Sequence, residues 1–143
     1  MTEPITSILV ADDDEMIGPL IGDILGCLGH TVCAIVTTED AAVVAAVRHR
    51  PNLIVMDSRL RPGDGIEAMD RIVALIGPVP HIFISGDLHD VCKRVPEAIT
   101  LKKPFRIEQI EEAIHCAMET VDTSQIRVTP AVAASVLTHP LIT

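Results

Sequence analysis

Short, nearly continuous apolar runs recur along the chain at Ser7 to Ala11, Thr31 to Val36, Leu53 to Met56, His81 to Ser85 and about Ala98 to Leu101. Strands covered on both faces read this way, because neither face is given over to polar residues. Between the runs, apolar residues return at helical spacing and predict helices over Met16 to Leu28, Thr38 to Arg48, Gly65 to Ile76, Leu88 to Arg94 and Ile107 to Val121. In the last of these, Ile107, Ile110, Ile114 and Met118 form one stripe. Five strands alternating with five helices predict an α/β domain built on a doubly wound, five-stranded parallel sheet.

The punctuation agrees with these boundaries. Thr38 suits the cap of the second helix, Gly29 the end of the first, and Pro51 and Pro78 fall just before the third and fourth strands. Residues 1–121 therefore read as one domain, and 122–143 as a C-terminal tail with no output domain. Within the tail, Thr129, Pro130 and the stretch AVAASVL suit a capped short helix and a frayed end equally well.

Composition narrows the function classes. Twenty acidic residues against 11 Lys and Arg give a net charge of −9, which disfavours nucleic acid and membrane surfaces and favours a cation or a protein partner. No run reaches bilayer length and the start MTEPITS lacks a signal-peptide pattern, so a cytoplasmic location is expected. Cys27, Cys33, Cys92 and Cys116 show no CxxC spacing and read as small buried hydrophobes.

The carboxylates carry the chemistry. Asp12 and Asp13 directly follow the first strand and Asp57 the third. In open α/β sheets ligands bind at the carboxyl ends of the strands, where strand order reverses. With the order 2-1-3-4-5, strands one and three are neighbours and the three acids converge. Crowded carboxylates repel unless a cation lies among them, and hard oxygen donors suit Mg2+. The same aspartates, taken alone, read better as solvated loop residues that cap helices. Ser85 at the end of the fourth strand and Lys103 after the fifth shift that balance. They add a hydroxyl and an ammonium at the same sheet edge, the groups that an aspartyl phosphate needs.

The ordered stretches ILVADDDE, IVMDSRLRPGDG, IFISG and LKKPF resemble the motifs of response-regulator receiver domains, over about residues 7 to 121. The resemblance implies a flavodoxin-like receiver fold and a single-domain response regulator of a two-component or phosphorelay system, not an independent enzyme. It implies Asp57 as phosphoacceptor, Asp13 as a direct Mg2+ ligand, Asp12 as a ligand directly or through water, and the backbone carbonyl of Arg59 as another. It further implies Ser85 as the switch hydroxyl, and Lys103, preceding Pro104 in a cis bond, as the phosphoryl-binding cation. The implied partner is a histidine kinase or histidine phosphotransferase, with a protein-binding surface near helix 4 and strand 5 as output. The oligomeric state and the downstream target are left open.

The chain departs from that family where the signal is read out. The aromatic residue that usually stands three positions before the family lysine is replaced by Thr100. Seventeen residues separate Ser85 from Lys103, which leaves the fourth helix about two turns. DLHDVCKRVPEA offers that helix few apolar anchors, so it is expected to be the locally labile element, and Arg59 and Asp87 are placed to pair across the site. PHIFISG is similar to a subgroup of bacterial single-domain receivers that lack the aromatic toggle. Two other classes are weighed. An aspartate-based phosphatase would place a second Asp two residues after the nucleophile, where this chain has Arg59. A phosphorylation-independent interaction domain would have no use for the intact Asp12, Asp13, Asp57, Ser85 and Lys103 set. Asp14 and Glu15 read as caps of the first helix, Asp64 as turn chemistry, and His115 as a helix-face residue.

Overall fold

The computed structural model describes residues 6–126, with side chains through Glu119. In chain order the elements are β1 (Ser7–Ala11), α1 (Ile17–Cys27), β2 (Thr31–Val36), α2 (Glu39–His49), β3 (Leu53–Asp57), α3 (Gly65–Ile76), β4 (His81–Ser85), α4 (His89–Arg94), β5 (Thr100–Lys102) and α5 (Ile107–Ile126). All strand pairs are parallel, in the order β2-β1-β3-β4-β5. This is the predicted doubly wound fold.

The alternation of side chains along each strand splits the core into two layers. Leu9, Ile54, Met56 and Phe83 point to the side covered by Ala42 and Ala46 of α2, Ile66, Met69 and Ile72 of α3, and Val91 of α4. Ile8, Val10, Leu53, Val55, Ile82 and Ile84 point to the other, against Ile21 and Leu25 of α1 and Ile110, Ile114 and Ala117 of α5. β3, in the middle of the sheet, is buried at every residue. The edge strand β2 is not: Ile35 is 41% exposed, because position at the sheet edge outweighs the apolar composition that predicted cover on both faces.

Local chemistry sets the helix ends. Thr38 Oγ1 accepts the Ala41 amide at 3.1 Å, and Asp64 Oδ1 accepts those of Ile66 and Glu67 at 2.7 and 3.1 Å. Asp14 Oδ1 takes the amides of Met16 and Ile17, the capping role expected of it. Gly29, at φ 92°, turns the chain out of α1. α4 has six residues, one of them, Val91, buried.

Three expectations are corrected. The cysteines are not core residues: Cys27, Cys92 and Cys116 are exposed and Cys33 is half-buried, because they fall on outer helix faces and on the edge strand. The α5 stripe begins at Ile110, with Ile107 exposed in the first turn. α5 also runs past Val121 to Ile126, and the stretch from Thr129 to Leu137 lies outside the described residues. Among the described residues, no helix is long and apolar enough to cross a membrane.

Candidate functional site

Sheet register assembles the site. Ala11 of β1 pairs with Met56 of β3, so the next residues, Asp12 and Asp57, emerge side by side at the carboxyl edge. Oxygens of Asp12, Asp13 and Asp57 all lie within 4.8 Å of one another. Asp12 is fully buried and Asp57 is 4% exposed. Lys103 arrives from beyond β4, its amide held by the Ser85 carbonyl at 2.8 Å and its peptide bond to Pro104 cis. Its Nζ stands 2.8 Å from Asp12 Oδ2 and 3.0 Å from Asp57 Oδ2.

The remaining oxygens are committed unequally. Asp57 Oδ1 accepts the Arg59 amide at 3.0 Å, and Asp12 Oδ1 accepts the Asp14 amide at 2.9 Å. Asp12 Oδ2 meets Lys103 at ion-pair distance but without hydrogen-bond alignment, so this buried oxygen keeps its acceptor capacity unspent. Asp13 Oδ2 faces the backbone and side chain of Arg61, each at 3.4 Å. Burial pushes the Asp57 carboxyl up to about 6, helped by the charge of Asp12, against the lowering effect of the Arg59 and Lys103 hydrogen bonds. Burial works against the Lys103 ammonium, but the two carboxylates beside it, Asp12 as an ion pair and Asp57 as a hydrogen-bonded one, outweigh that and hold it above its usual range.

Three carboxylates around one ammonium are short of positive charge. A spare buried acceptor at Asp12 and the all-oxygen donor set fit a hard divalent cation held by Asp12, Asp13 and Asp57.

Not every expected member joins this group. Ser85 is buried one step beyond the Asp57–Ile84 pair, but its Oγ donates to the Asp87 carbonyl at 2.8 Å and accepts the Asp87 amide at 3.1 Å. Arg59 contributes its amide to Asp57 and bridges to Asp64, with its side chain in solvent. Arg59 and Asp87 do not pair: the Arg59 side chain stands in solvent, and Asp87 Oδ1 accepts the His89 amide at 2.9 Å. Thr100 sits half-buried in β5 opposite Phe83.

The structure adds residues that the motifs did not single out. Gly65 packs against Asp57 so closely that a Cβ there would run into the Asp57 carbonyl, and its amide donates to the Ser58 carbonyl at 2.9 Å. Glu39 of α2 accepts the Asp64 amide at 2.9 Å. Arg94, at the end of α4, reaches Asp64 at 2.8 Å. Burial alone would raise the Asp64 carboxyl, yet the Arg94 bond and the capped amides of Glu67 and Ile66 hold it below the usual carboxylate range. Only the local i,i+4 spacing of Asp90 and Arg94 is written in the sequence; the tie to Asp64 spans 30 positions.

Comparison with known proteins agrees with this geometry. A profile of the response regulator receiver domain matches residues 8–115. A protein-glutamate methylesterase/protein-glutamine glutaminase of Haloarcula marismortui is 38% identical over 78 residues, covering 54% of this chain and 21% of its own length. The transcriptional regulatory protein PdtaR of Mycobacterium tuberculosis is 28% identical over 114 residues, covering 78% of this chain and 56% of PdtaR. The receiver domain of the PhyR response regulator of Erythrobacter litoralis superposes with a TM-score of 0.71 at 25% identity, over 80% of this chain and 90% of that one. The chain thus spans between about a fifth and just over half of these curated relatives. With the profile match, the parallel sheet in the order β2-β1-β3-β4-β5 and the acids at its carboxyl edge, the chain belongs to the response regulator receiver domain family and serves two-component signalling.

Proposed function

We propose that the protein accepts a phosphoryl group on Asp57, in a Mg2+-dependent reaction, from the phosphohistidine of a histidine kinase or histidine phosphotransferase. The observation that carries this reading is the Asp57 carboxylate itself. It is buried, raised to about 6, held by Lys103 at 3.0 Å and set within 4.8 Å of two further acids. An Asp57 oxygen attacks phosphorus as the phosphorus–nitrogen bond of the donor breaks, and the donor imidazole leaves with the bonding pair. Bound at Asp12, Asp13, Asp57 and the Arg59 carbonyl, Mg2+ would neutralise phosphoryl oxygens. Lys103 supplies a second positive charge, and Ser85, once its hydroxyl leaves Asp87, supplies a hydrogen bond. Residues 1–121 form the receiver unit in this reading, and α4 with β5 present the altered surface to a protein target. Arg59, where a phosphatase would carry its second acid, favours a phosphoacceptor over an independent enzyme.

Incubation with a small phosphodonor, with Mg2+ or with a chelator, followed by intact mass measurement, tests the proposal. A one-phosphoryl adduct is expected with Mg2+, and none with chelator or in Asp57→Asn. An adduct that persists in Asp57→Asn, or no adduct on the wild type, would overturn it.

A further inference from the structure

α4 is bracketed by two contacts that both lead back to Asp57. Before its first turn, Ser85 Oγ holds the amide and carbonyl of Asp87, whose Oδ1 in turn accepts the His89 amide at 2.9 Å. At its last residue, the Arg94 guanidinium lies 2.8 Å from Asp64, 3.1 Å from Asp90 and 3.8 Å from Glu67. Asp64 is itself fixed to the phosphoacceptor segment. Its neighbour Gly65 donates to the Ser58 carbonyl, its own amide donates to Glu39, and its Oδ1 caps α3. Between the two tethers Val91 is the buried residue of α4.

We propose that α4 pivots about Arg94. When the Ser85 hydroxyl turns from Asp87 toward a phosphoryl group on Asp57, the N-terminal end of α4 is freed while Asp64 keeps its C-terminal end. This rests on the phosphoacceptor reading and supplies its output. A hydroxyl has one proton, so Ser85 cannot donate to the Asp87 carbonyl and to a phosphoryl oxygen together. Arg94 has donors enough to stay on Asp64 while α4 swings. With Thr100 in place of an aromatic residue, the moved helix surface carries the signal.

Amide hydrogen exchange resolves the two ends. The Asp87 amide reports the Ser85 hydroxyl, and the Cys92 and Val95 amides, bonded to the Leu88 and Val91 carbonyls, report the body of α4. With Mg2+ and beryllofluoride as phosphoryl mimic, Asp87 and His89 exchange faster in the wild type while Val95 keeps its protection. In Arg94→Gln without the mimic, Cys92 and Val95 exchange about threefold to fivefold faster than in the wild type. Asp64→Ser keeps a capping oxygen for α3 and loses the partner of Arg94, so it shows the same change, and the double variant adds little to either. Equal Val95 protection in Arg94→Gln and wild type would overturn the pivot, as would a mimic that frees Val95 as much as Asp87 in the wild type. The Arg94→Gln comparison needs no phosphorylation, whereas a missing Mg2+-dependent adduct removes the phosphoacceptor reading itself, so the two failures are told apart.

Discussion

The carboxyl edge of β1 and β3 and the segment from β4 through α4 to β5 border the same site and are built on opposite terms. At the first, Asp12 and Asp57 leave the central strand β3 and its neighbour β1, buried, with each oxygen assigned to an amide or to Lys103 or left facing its neighbours. At the second, a six-residue helix with one buried side chain is held by a serine hydroxyl and an arginine. The first stores unfavourable charge in a rigid frame, and the second offers little resistance to movement. On the proposed phosphoacceptor reading the site needs both, because a rigid acceptor does work only if something beside it yields.

The sharpest way to break the contrast is at its rigid side. Gly65→Ala should cost at least about 3 kcal/mol, since the new Cβ meets backbone and not a flexible side-chain tip. Urea unfolding measures this, and a loss under about 1 kcal/mol would show that the β3–α3 junction is softer than described.

The stored charge predicts a pH dependence. Asp57 titrates near 6 in the fold and at 3.8 when unfolded, so between those values the native protein keeps a proton that the unfolded chain has released. Stability attributable to Asp57 is therefore full below about pH 4 and is lost as pH rises through about 6. Relative to Asp57→Asn, the metal-free wild type should lose up to about 3 kcal/mol between pH 4 and pH 7, and Mg2+ should restore much of it. Parallel unfolding curves of the two proteins across that range would remove the claim that Asp57 is held above its ordinary value.

Lys103→Met leaves Asp12 and Asp57 without their shared ammonium. Because Lys103 is 23% exposed, a loss of about 2 kcal/mol is expected at neutral pH, less than for a fully buried pair. Thermal melts should show Mg2+ recovering more stability in this variant than in the wild type. The smallest effect belongs to the yielding side: Thr100→Ala should change stability by no more than about 0.5 kcal/mol and leave the Mg2+-dependent adduct unchanged. A large change in adduct formation there would give Thr100 a role in the switch that its place opposite Phe83 does not suggest.

The apolar runs at Ile8, Leu53 and Ile82 and the caps Thr38 and Asp14 were legible one residue at a time, whereas Asp64, read as turn chemistry, proved to cap α3. Strand burial and helix starts depend on neighbours within a turn or two of chain, and those neighbours are adjacent in the sequence. The acids and Lys103 were legible because each follows a strand, and strand ends are countable. What misled was position in the assembly. Cys27, Cys92 and Cys116 have core-like chemistry but lie on outer faces, and Ile35 has strand chemistry but an edge place.

By itself the sequence determined the alternation of strands and helices, the residues at the carboxyl edge and the shortness of α4, because these follow from local period and spacing. Only the tertiary structure decided that Ser85 points to Asp87, that Asp12 keeps a spare acceptor, that Gly65 presses on Asp57 and that Arg94 joins α4 to the cap of α3. The Arg94–Asp64 and Lys103–Asp12 contacts join residues far apart in the chain, and even the nearby Ser85–Asp87 and Gly65–Asp57 contacts depend on how a loop or a helix settles on the sheet, a choice that no local pattern encodes.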